Sequence, residues 1–258
     1  MSATYRPRIL PKLFEWLQLS MGQAAADNIS FLSYDEYLAL MEFPLPEDTL
    51  SYPRVQEYLS DLVPARSPIL QSMEIEAEKT GFPIIGPSAG NACYLLTRMI
   101  TGRRVFEMGS GFGYSTAWFA KAVAENGGGE VHHVVWDQAL SMKARTYLSE
   151  LGYGQMVHYH VAEAIKTLRE TDGPFDVVFN DIDKQAYPET LEVISEKLRP
   201  GGLMIVDNML WDGRVFNPND RSAETVGIRE LTRLVFGNPG WISTILPIRD
   251  GILVACKV

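Results

Sequence analysis

Oxygen-bearing side chains stand at the ends of two successive apolar segments, where they could bind a cation. The segment FDVVFND ends at Asp181, and the segment LMIVDN ends at Asp207 and Asn208. If the two segments are neighbouring strands, about 4.8 Å apart, these side chains emerge side by side at one edge of a sheet. Two carboxylates and an amide oxygen are hard ligands that suit Mg²⁺, Mn²⁺ or Ca²⁺. The alternative is that the acids cap loops and helices separately.

Lys184 follows Asp181 by three residues and offers a second kind of chemistry. A nearby cation disfavours the ammonium form of a lysine, which lowers its pKa and makes the amine a usable general base. Without further context, a solvated loop lysine is the simpler interpretation.

A glycine-rich turn within VFEMGSGFGYS, residues 105–115, indicates a ligand site. It follows a short apolar strand that carries Glu107, and a helix follows it. The alternate glycines Gly109, Gly111 and Gly113 let the backbone turn sharply and bring amides close to a ligand. Ligands of open α/β sheets lie at the carboxyl ends of strands, so we favour a cofactor loop over an ordinary strand-to-helix turn. The pattern alone does not identify the cofactor.

The elements that position these residues alternate between strands and helices, which predicts a parallel, doubly wound α/β sheet. The strand VHHVVWD, residues 131–137, ends at Asp137, a carboxylate of the kind that holds ribose hydroxyls. An N-cap of the following helix is an equal alternative for Asp137. The loop FPIIGPSAG either closes over a cofactor or is a plain connector.

The histidines lie on two of the predicted strands. His132 and His133 point to opposite faces of their strand, so they do not easily chelate one ion. His158 and His160 share a face, but no third ligand is near them in sequence. Packed or surface histidines are therefore favoured over a metal site.

The composition limits the classes of function. The chain has 258 residues, enough for one large domain with or without an appendage. A net charge of −9 argues against general binding to nucleic acid or to anionic membranes, which need basic surface. Two cysteines without metal-type spacing, and no apolar run of membrane-spanning length, predict a cytoplasmic protein.

Residues 1–50 are predicted to form a helical appendage to a main domain over residues 51–258. Their first apolar residues fall at helical spacing and form one stripe: Ile9, Leu10, Leu13, Phe14 and Leu17. We expect this helix to lie on the main domain, with a dimer or partner contact as the alternative. A second helix is predicted from Ser33 or Tyr34 to Met41, and residues 43–46 read as a linker.

Three stretches resemble the cation-dependent class I O-methyltransferases of the catechol and caffeoyl-CoA type. They are FEMGSGFGYSTAWFA, FNDIDKQAYPETLEVISEKLRPGGLMIVDNMLWDGRV and LPIRDGILVACKV. The resemblance covers roughly Tyr52 to Val258 and includes the spacing between the motifs. It implies a Rossmann-like α/β fold with a seven-stranded, mostly parallel sheet, a reversed last strand and helices on both faces. Residues 245–247 and 251–258 match the closing hairpin.

The same resemblance implies the site residues. Asp181, Asp207 and Asn208 match the metal ligands, and Lys184 matches the catalytic lysine. The positions expected around S-adenosylmethionine are Ile85, Gly86, Glu107, Gly109, Ser115, Asp137, Ala164 and Asp181. The first two match the loop over its methionine end, and Ala164 matches an adenine contact. The family's ribose acid falls on Val135, so either the strand end is shifted and Asp137 serves, or ribose is held less well.

The activity that the resemblance implies is transfer of a methyl group from S-adenosylmethionine to a hydroxyl of a catechol-like or other phenolic small molecule. It also implies Mg²⁺, or Mn²⁺ or Ca²⁺ in its place, and a homodimer. One alternative is a nicotinamide-dependent oxidoreductase, although the glycine spacing is G-x-G-x-G rather than G-x-G-x-x-G. Another is a non-catalytic protein that retains the fold. Trp211 would either stack on an aromatic acceptor or be buried for structural reasons.

Overall fold

A computed structural model describes residues 52–258 of the chain. The helices are α1 (Tyr52–Asp61), α2 (Pro68–Thr80), α3 (Gly86–Met99), α4 (Tyr114–Glu125), α5 (Gln138–Glu150), α6 (Ala164–Glu170), α7 (Tyr187–Lys197) and α8 (Ala223–Phe236). The strands are β1 (Arg104–Met108), β2 (Glu130–Val135), β3 (Val157–Val161), β4 (Phe175–Asn180), β5 (Leu198–Val206), β6 (Trp241–Leu246) and β7 (Ile252–Lys257). The helices predicted over residues 9–17 and 33–41 lie outside the described residues.

The strands form one seven-stranded sheet in the order β3-β2-β1-β4-β5-β7-β6. Neighbouring strands from β3 through β5 pair in parallel, and β7 runs antiparallel to both β5 and β6. The predicted parallel sheet with a reversed last strand is therefore confirmed. The strand order reverses direction between β1 and β4, which is where open α/β sheets bind their ligands.

Helices cover both faces of this sheet because apolar residues of the central strands alternate between two cores. On β1, Val105 packs with α2, α3, α4 and α5. Its neighbour Phe106 packs on the other face with α6, α7 and α8. Alternating side chains of an extended strand point to opposite faces, so strands that are apolar throughout are buried on both sides. The predicted helices on both faces are confirmed.

Several element boundaries differ from the sequence-based prediction, among them those of β2, α3 and β6. Strand β2 ends at Val135 rather than at residue 137, because Asp137 already caps α5. Helix α3 begins at Gly86 rather than near residue 91, since Pro87 occupies its first turn, where a missing N–H costs nothing. Strand β6 begins at Trp241, four residues early, because an edge strand with one exposed face tolerates the polar residues 243 and 244.

The sheet places the ends of β4 and β5 next to each other. Asn180, the last residue of β4, pairs with Val206, the last residue of β5. Asp181 and Asp207 are the next residues of the two strands, as the sequence predicted for neighbouring strands. Helix α7 secures this edge, because the Tyr187 hydroxyl donates a hydrogen bond to Asp207 O at 2.9 Å.

Of the helices in residues 52–258, none has the length and apolar character that crossing a membrane requires.

A buried polar chain lies on the side of β1 and β2 that faces α4. The Thr116 hydroxyl donates its hydrogen to Glu107 Oε2. In the 3.0 Å contact with His133, Thr116 Oγ1 is therefore the acceptor and the Nδ1–H of the imidazole is the donor. Both Glu107 and His133 are completely buried. Burial lowers the pKa of His133 to about 3, and the nearby His160 and Arg145 add to this effect.

This buried histidine makes the fold sensitive to acid. Unfolded His133 titrates near 6.5, so the unfolded state takes up a proton between about pH 6.5 and about pH 3 while the folded state does not. We expect the urea midpoint to fall as the pH drops from 7 to 4.5, and the loss to be smaller in His133→Asn. The exposed Thr244→Asn on the edge strand β6 removes no titratable group, so it is the control and should keep the wild-type slope. Equal slopes for His133→Asn and the wild type would contradict the assignment.

Candidate active site

The turn between β1 and α4 meets the end of β4 closely. Gly109 has a φ of +83°, and a Cβ there would lie 2.3 Å from the carbonyl oxygen of Asp181. The amide of Asp181 also donates to Met108 O at 2.9 Å. Only glycine therefore fits where the two loops touch.

Helix α4 starts from this turn with free amide groups. Its N-cap is Gly113, with a left-handed φ of 91°, and no side chain of the described residues caps it. The first N–H groups of a helix lack intrahelical acceptors and favour a negatively charged ligand group. The turn and the helix start thus form a cradle for the polar end of a ligand.

Two carboxylates face this cradle from the neighbouring strand ends. Asp207 is 1% exposed, and its Oδ2 accepts a hydrogen bond from Arg249 Nη1 at 3.0 Å. Its other oxygen, Oδ1, is buried and finds no hydrogen-bond partner among residues 52–258. Asp181 Oδ1 accepts a hydrogen bond from Lys184 Nζ at 2.7 Å.

The two carboxylates influence each other because they are close and poorly hydrated. Burial raises the pKa of Asp207, and the negative charge of Asp181 raises it further. Burial likewise raises the pKa of Asp181, whereas the positive charges of Lys184 and Arg249 oppose the rise. Asp207 is buried with one orphaned oxygen beside the partly exposed Asp181, and this pair of like charges is costly unless a cation completes it.

Asn208 is held beside the pair by the loop that precedes β7. Its φ is +60°, and its Nδ2 donates to Asp250 Oδ2 at 3.1 Å, which leaves the amide oxygen as its ligand atom. Two backbone hydrogen bonds, from Met209 N to Gly251 O and from Leu210 N to Asp250 O, join the same two loops. Asp181, Asp207 and Asn208 therefore come together as the sequence predicted.

Lys184 is not a solvated loop lysine. Its side chain is 13% exposed, and besides Asp181 it donates to Ile182 O at 3.2 Å. Its ammonium lies 5.5 Å from the ring centre of Tyr187 and 6.0 Å from that of Trp211. Helix α8 approaches its backbone closely, since a Cβ on Gly227 would lie 2.3 Å from Lys184 O.

These groups share one cleft of about 600 Å³ at the carboxyl edge of the sheet. The predicted site residues that line it are Ile85, Gly109, Ser115, Ala164, Asp181, Lys184, Asp207 and Asn208. Gly86 lines the adjoining cleft instead. Among the described residues, Glu107 and Asp137 belong to the lining of neither cleft.

Glu107 lies at the end of β1 but is completely buried. Burial raises its pKa to about 7, although hydrogen bonds from Ser115, Thr116 and Ser110 oppose the rise. The carboxylate therefore lies behind the glycine turn, where its Oε2 accepts a hydrogen bond from Thr116 of α4 and its Oε1 has no partner among the described residues.

Asp137 caps a helix in the structure. Its Oδ1 accepts hydrogen bonds from Ala139 N at 2.6 Å and Leu140 N at 3.0 Å. The capping alternative is thus observed, and the ribose contact stays a prediction. Val135 and the 69% exposed Trp136, which precede it, line the cleft where β2 ends.

Sequence reasoning missed Arg249, which pairs with Asp207. Arg249 adopts a φ of +51°, and its amide donates to Gln56 Oε1 at 2.5 Å. An arginine in the loop before the last strand gives no sequence signal of a partner that is 42 positions away. It also lines the adjoining cleft, together with Leu210, Trp211 and Phe216.

The sheet with its reversed strand is the fold of class I methyltransferases, and comparison with known proteins agrees. The family described as O-methyltransferase matches residues 60–258, so the chain belongs to this family. A catechol O-methyltransferase of Niastella koreensis is 29% identical over 198 residues, which are 74% of this chain and 89% of that protein.

Solved structures give the same assignment. The O-methyltransferase TomG of Streptomyces achromogenes, in complex with SAM, is 26% identical with a TM-score of 0.72 and covers 81% of this chain and 100% of its own. An O-methyltransferase of Bacillus cereus, in complex with SAH, is 26% identical with a TM-score of 0.71 and covers 80% of this chain and 97% of its own. The protein is thus an S-adenosylmethionine-dependent O-methyltransferase, which decides against the oxidoreductase and non-catalytic alternatives.

The contact between Gly109 and the end of β4 leads to a testable prediction. Gly109→Ala puts a methyl group against Asp181 O, so we expect it to weaken S-adenosylhomocysteine binding at least about tenfold by calorimetry. Gly127→Ala is the matched control, because Gly127 has a φ of +93° but its Cβ would meet no described atom within 4 Å. Equal affinity of the two variants would show that the close contact does not shape the cradle.

Proposed function

We propose that this enzyme methylates a hydroxyl of a catechol-like or other phenolic small molecule with the help of a divalent cation. The observation that supports the proposal most is Asp207, a buried carboxylate with one orphaned oxygen beside a second carboxylate. The name of the Niastella koreensis relative, catechol O-methyltransferase, points to the same substrate class.

The cation would be held by Asp181, Asp207 and Asn208. Their oxygen donors suit Mg²⁺, and Mn²⁺ or Ca²⁺ would fit the same set. When bound, such an ion acts as a Lewis acid that favours the ionised form of a phenol.

S-adenosylmethionine would occupy the cleft that contains the glycine turn, and it supplies an electrophilic methyl group. Ile85, Ser115 and Ala164 line this cleft. The amides at the start of α4 would bind the carboxylate of the methionine end. Glu107 and Asp137 do not line the cleft, so they would support the cofactor indirectly. Glu107 would do so by holding the start of α4, and Asp137 by fixing the end of β2.

Lys184 would remove the proton of the reacting hydroxyl. A phenol has a pKa of about 10, so little of it is ionised at neutral pH. In the reaction the hydroxyl proton would pass to the lone pair of the uncharged amine form of Lys184, the oxygen would form a bond to the methyl carbon, and the carbon–sulfur bond would break with its electrons left on sulfur. Asp181, 2.7 Å from Nζ, stabilises the ammonium that results.

The aromatic acceptor would lie in the adjoining cleft. Trp211 and Phe216 provide apolar surface there, and Asn208 and Arg249 line both clefts. An aromatic ring against Trp211 would direct its hydroxyl towards Asp207 and Lys184.

From sequence alone, we further propose that residues 1–50 form a helical appendage to a domain over residues 51–258. The enzyme would be a cytoplasmic homodimer without nucleic-acid or membrane partners, in line with its net charge of −9. Light scattering on the full chain that returned a monomer mass would exclude the dimer.

The assay that tests the proposal is methylation of a panel of catechols with S-adenosylmethionine, with Mg²⁺ and with EDTA. We expect turnover with Mg²⁺ and its loss in EDTA, because the buried carboxylates then repel the phenolate. Lys184→Ala should lower kcat by about 10² or more, which is the typical contribution of a general base. The exposed Lys166→Ala is the matched control. Near-normal turnover by Lys184→Ala would reject the assigned role.

Arg249 should compete with the cation for Asp207. Removing the guanidinium frees Oδ2, so we expect Arg249→Ala to bind Mn²⁺ about tenfold more tightly, as measured by the paramagnetic resonance of free Mn²⁺. The exposed Arg233→Ala, which loses an ion pair with Glu230 away from both clefts, should bind Mn²⁺ like the wild type. Unchanged or weaker binding by Arg249→Ala would contradict competition.

A further inference from the structure

Three of the chain's four histidines gather on one face of β2 and β3, away from the clefts. His132 on β2 pairs in register with His158 on β3, and His160 lies two residues further along. Glu130, the first residue of β2, joins them. We propose that Glu130, His132 and His158 bind a zinc-type transition-metal ion.

The ligand atoms lie near the separations that such an ion requires. One atom from each of the three residues lies within 4.8 Å of the other two. Glu130 Oε1 is 3.5 Å from His132 Nε2, and Glu130 Oε2 is 3.4 Å from His158 Nε2. Ligands of a tetrahedral zinc ion, bound at about 2.0–2.1 Å, are about 3.3–3.4 Å apart. Little movement is needed to enclose an ion.

The buried His132 offers an unused nitrogen to this site. The residue is 7% exposed, and its Nε2 finds no hydrogen-bond partner in the part of the chain that the structure describes. Its other nitrogen, Nδ1, lies 3.1 Å from His160 Nε2. With the proton on Nδ1, His132 donates a hydrogen bond to His160, and the lone pair of His132 Nε2 is available to an ion. Metal-binding histidines usually donate their other N–H to a neighbouring group in this way.

Without an ion, this arrangement is poorly satisfied. Little water reaches His132 Nε2, because the ring is buried and this atom is inaccessible. The distance of 3.5 Å to Glu130 is too long for a good hydrogen bond, and a lone pair facing a carboxylate is repelled. A cation between the two groups turns the repulsion into two attractive contacts.

Arg104 fixes the carboxylate without blocking the site. Its Nε donates to Glu130 Oε1 at 2.6 Å, and its other nitrogens donate to the carbonyl oxygens of Pro174 and Asp172. The second oxygen, Oε2, remains on the side of His158. The positive charge of Arg104 weakens cation binding, so we expect affinity well below that of sites with charged thiolate ligands.

The chemistry of the donors and their exposure define the kind of site. Imidazole nitrogens prefer zinc, nickel and copper over Mg²⁺, so this site differs in metal class from the oxygen ligands near Asp207. His158 is exposed, which gives the ion an entry path and leaves room for water as a fourth ligand. A bound ion would join β2 to the edge strand β3 and protect that edge from opening.

The test is a Co²⁺ and Zn²⁺ titration of the full chain without an affinity tag, after removal of metal by chelator. We expect one equivalent of Co²⁺ to give the visible absorption of a four-coordinate ion, Zn²⁺ to displace it, and Zn²⁺ to raise the Tm. His158→Ala, at an exposed position, should weaken Zn²⁺ binding at least about tenfold, and Glu130→Gln should weaken it as well.

Asp207→Asn is the control that separates this site from the proposed catalytic one. It should keep the visible Co²⁺ spectrum of the four-coordinate site and the Zn²⁺-dependent rise in Tm. The proposal is overturned if His158→Ala binds Zn²⁺ like the wild type, or if binding is lost in Asp207→Asn instead. Failure of this site leaves the methyltransferase proposal untouched, because the two rest on different residues.

Discussion

Two carboxylates at adjacent strand ends are the constraint on which the site depends. Parallel pairing of β4 with β5 puts Asp181 and Asp207 next to each other, where burial raises the pKa of both. Like charges in poorly hydrated surroundings repel strongly, so the surrounding groups must supply positive charge. Lys184 and Arg249 do this from two different loops.

The rest of the domain holds these loops in place. Helix α7 ties its Tyr187 hydroxyl to the backbone of Asp207, and Asp250 binds Asn208 and the amide of Asp212. On the other side, only a glycine at 109 lets the cofactor turn lie against the end of β4. The glycine turn and the carboxylate pair thus lie on two sides of one contact, which in the proposed reaction would bring the methyl donor close to the acceptor hydroxyl.

Much of this was predictable because it depends on order along the chain. Alternating strands and helices imply a parallel sheet, and neighbouring parallel strands bring their ends together, so Asp181, Asp207 and Asn208 were found from sequence. The predicted end of β2 was two residues too late, because Asp137 caps the next helix instead of ending the strand. An aspartate suits a helix cap and a strand end equally well, so the sequence could not separate the two. Arg249 escaped prediction because its partner is distant in sequence.

The residue pattern by itself determined a parallel, doubly wound sheet, the glycine turn and the residues at the strand ends, because periodicity and local backbone geometry are encoded locally. The seven strands and the reversed last strand were implied by the family resemblance, and the structure confirms them. Only the tertiary structure decided which side chains meet across strands. His158 and His160 lacked a third partner in sequence, yet the register of β2 with β3 brings His132 and Glu130 to them. Register is a property of strand pairing, and it is set by packing over the whole sheet rather than by neighbours along the chain.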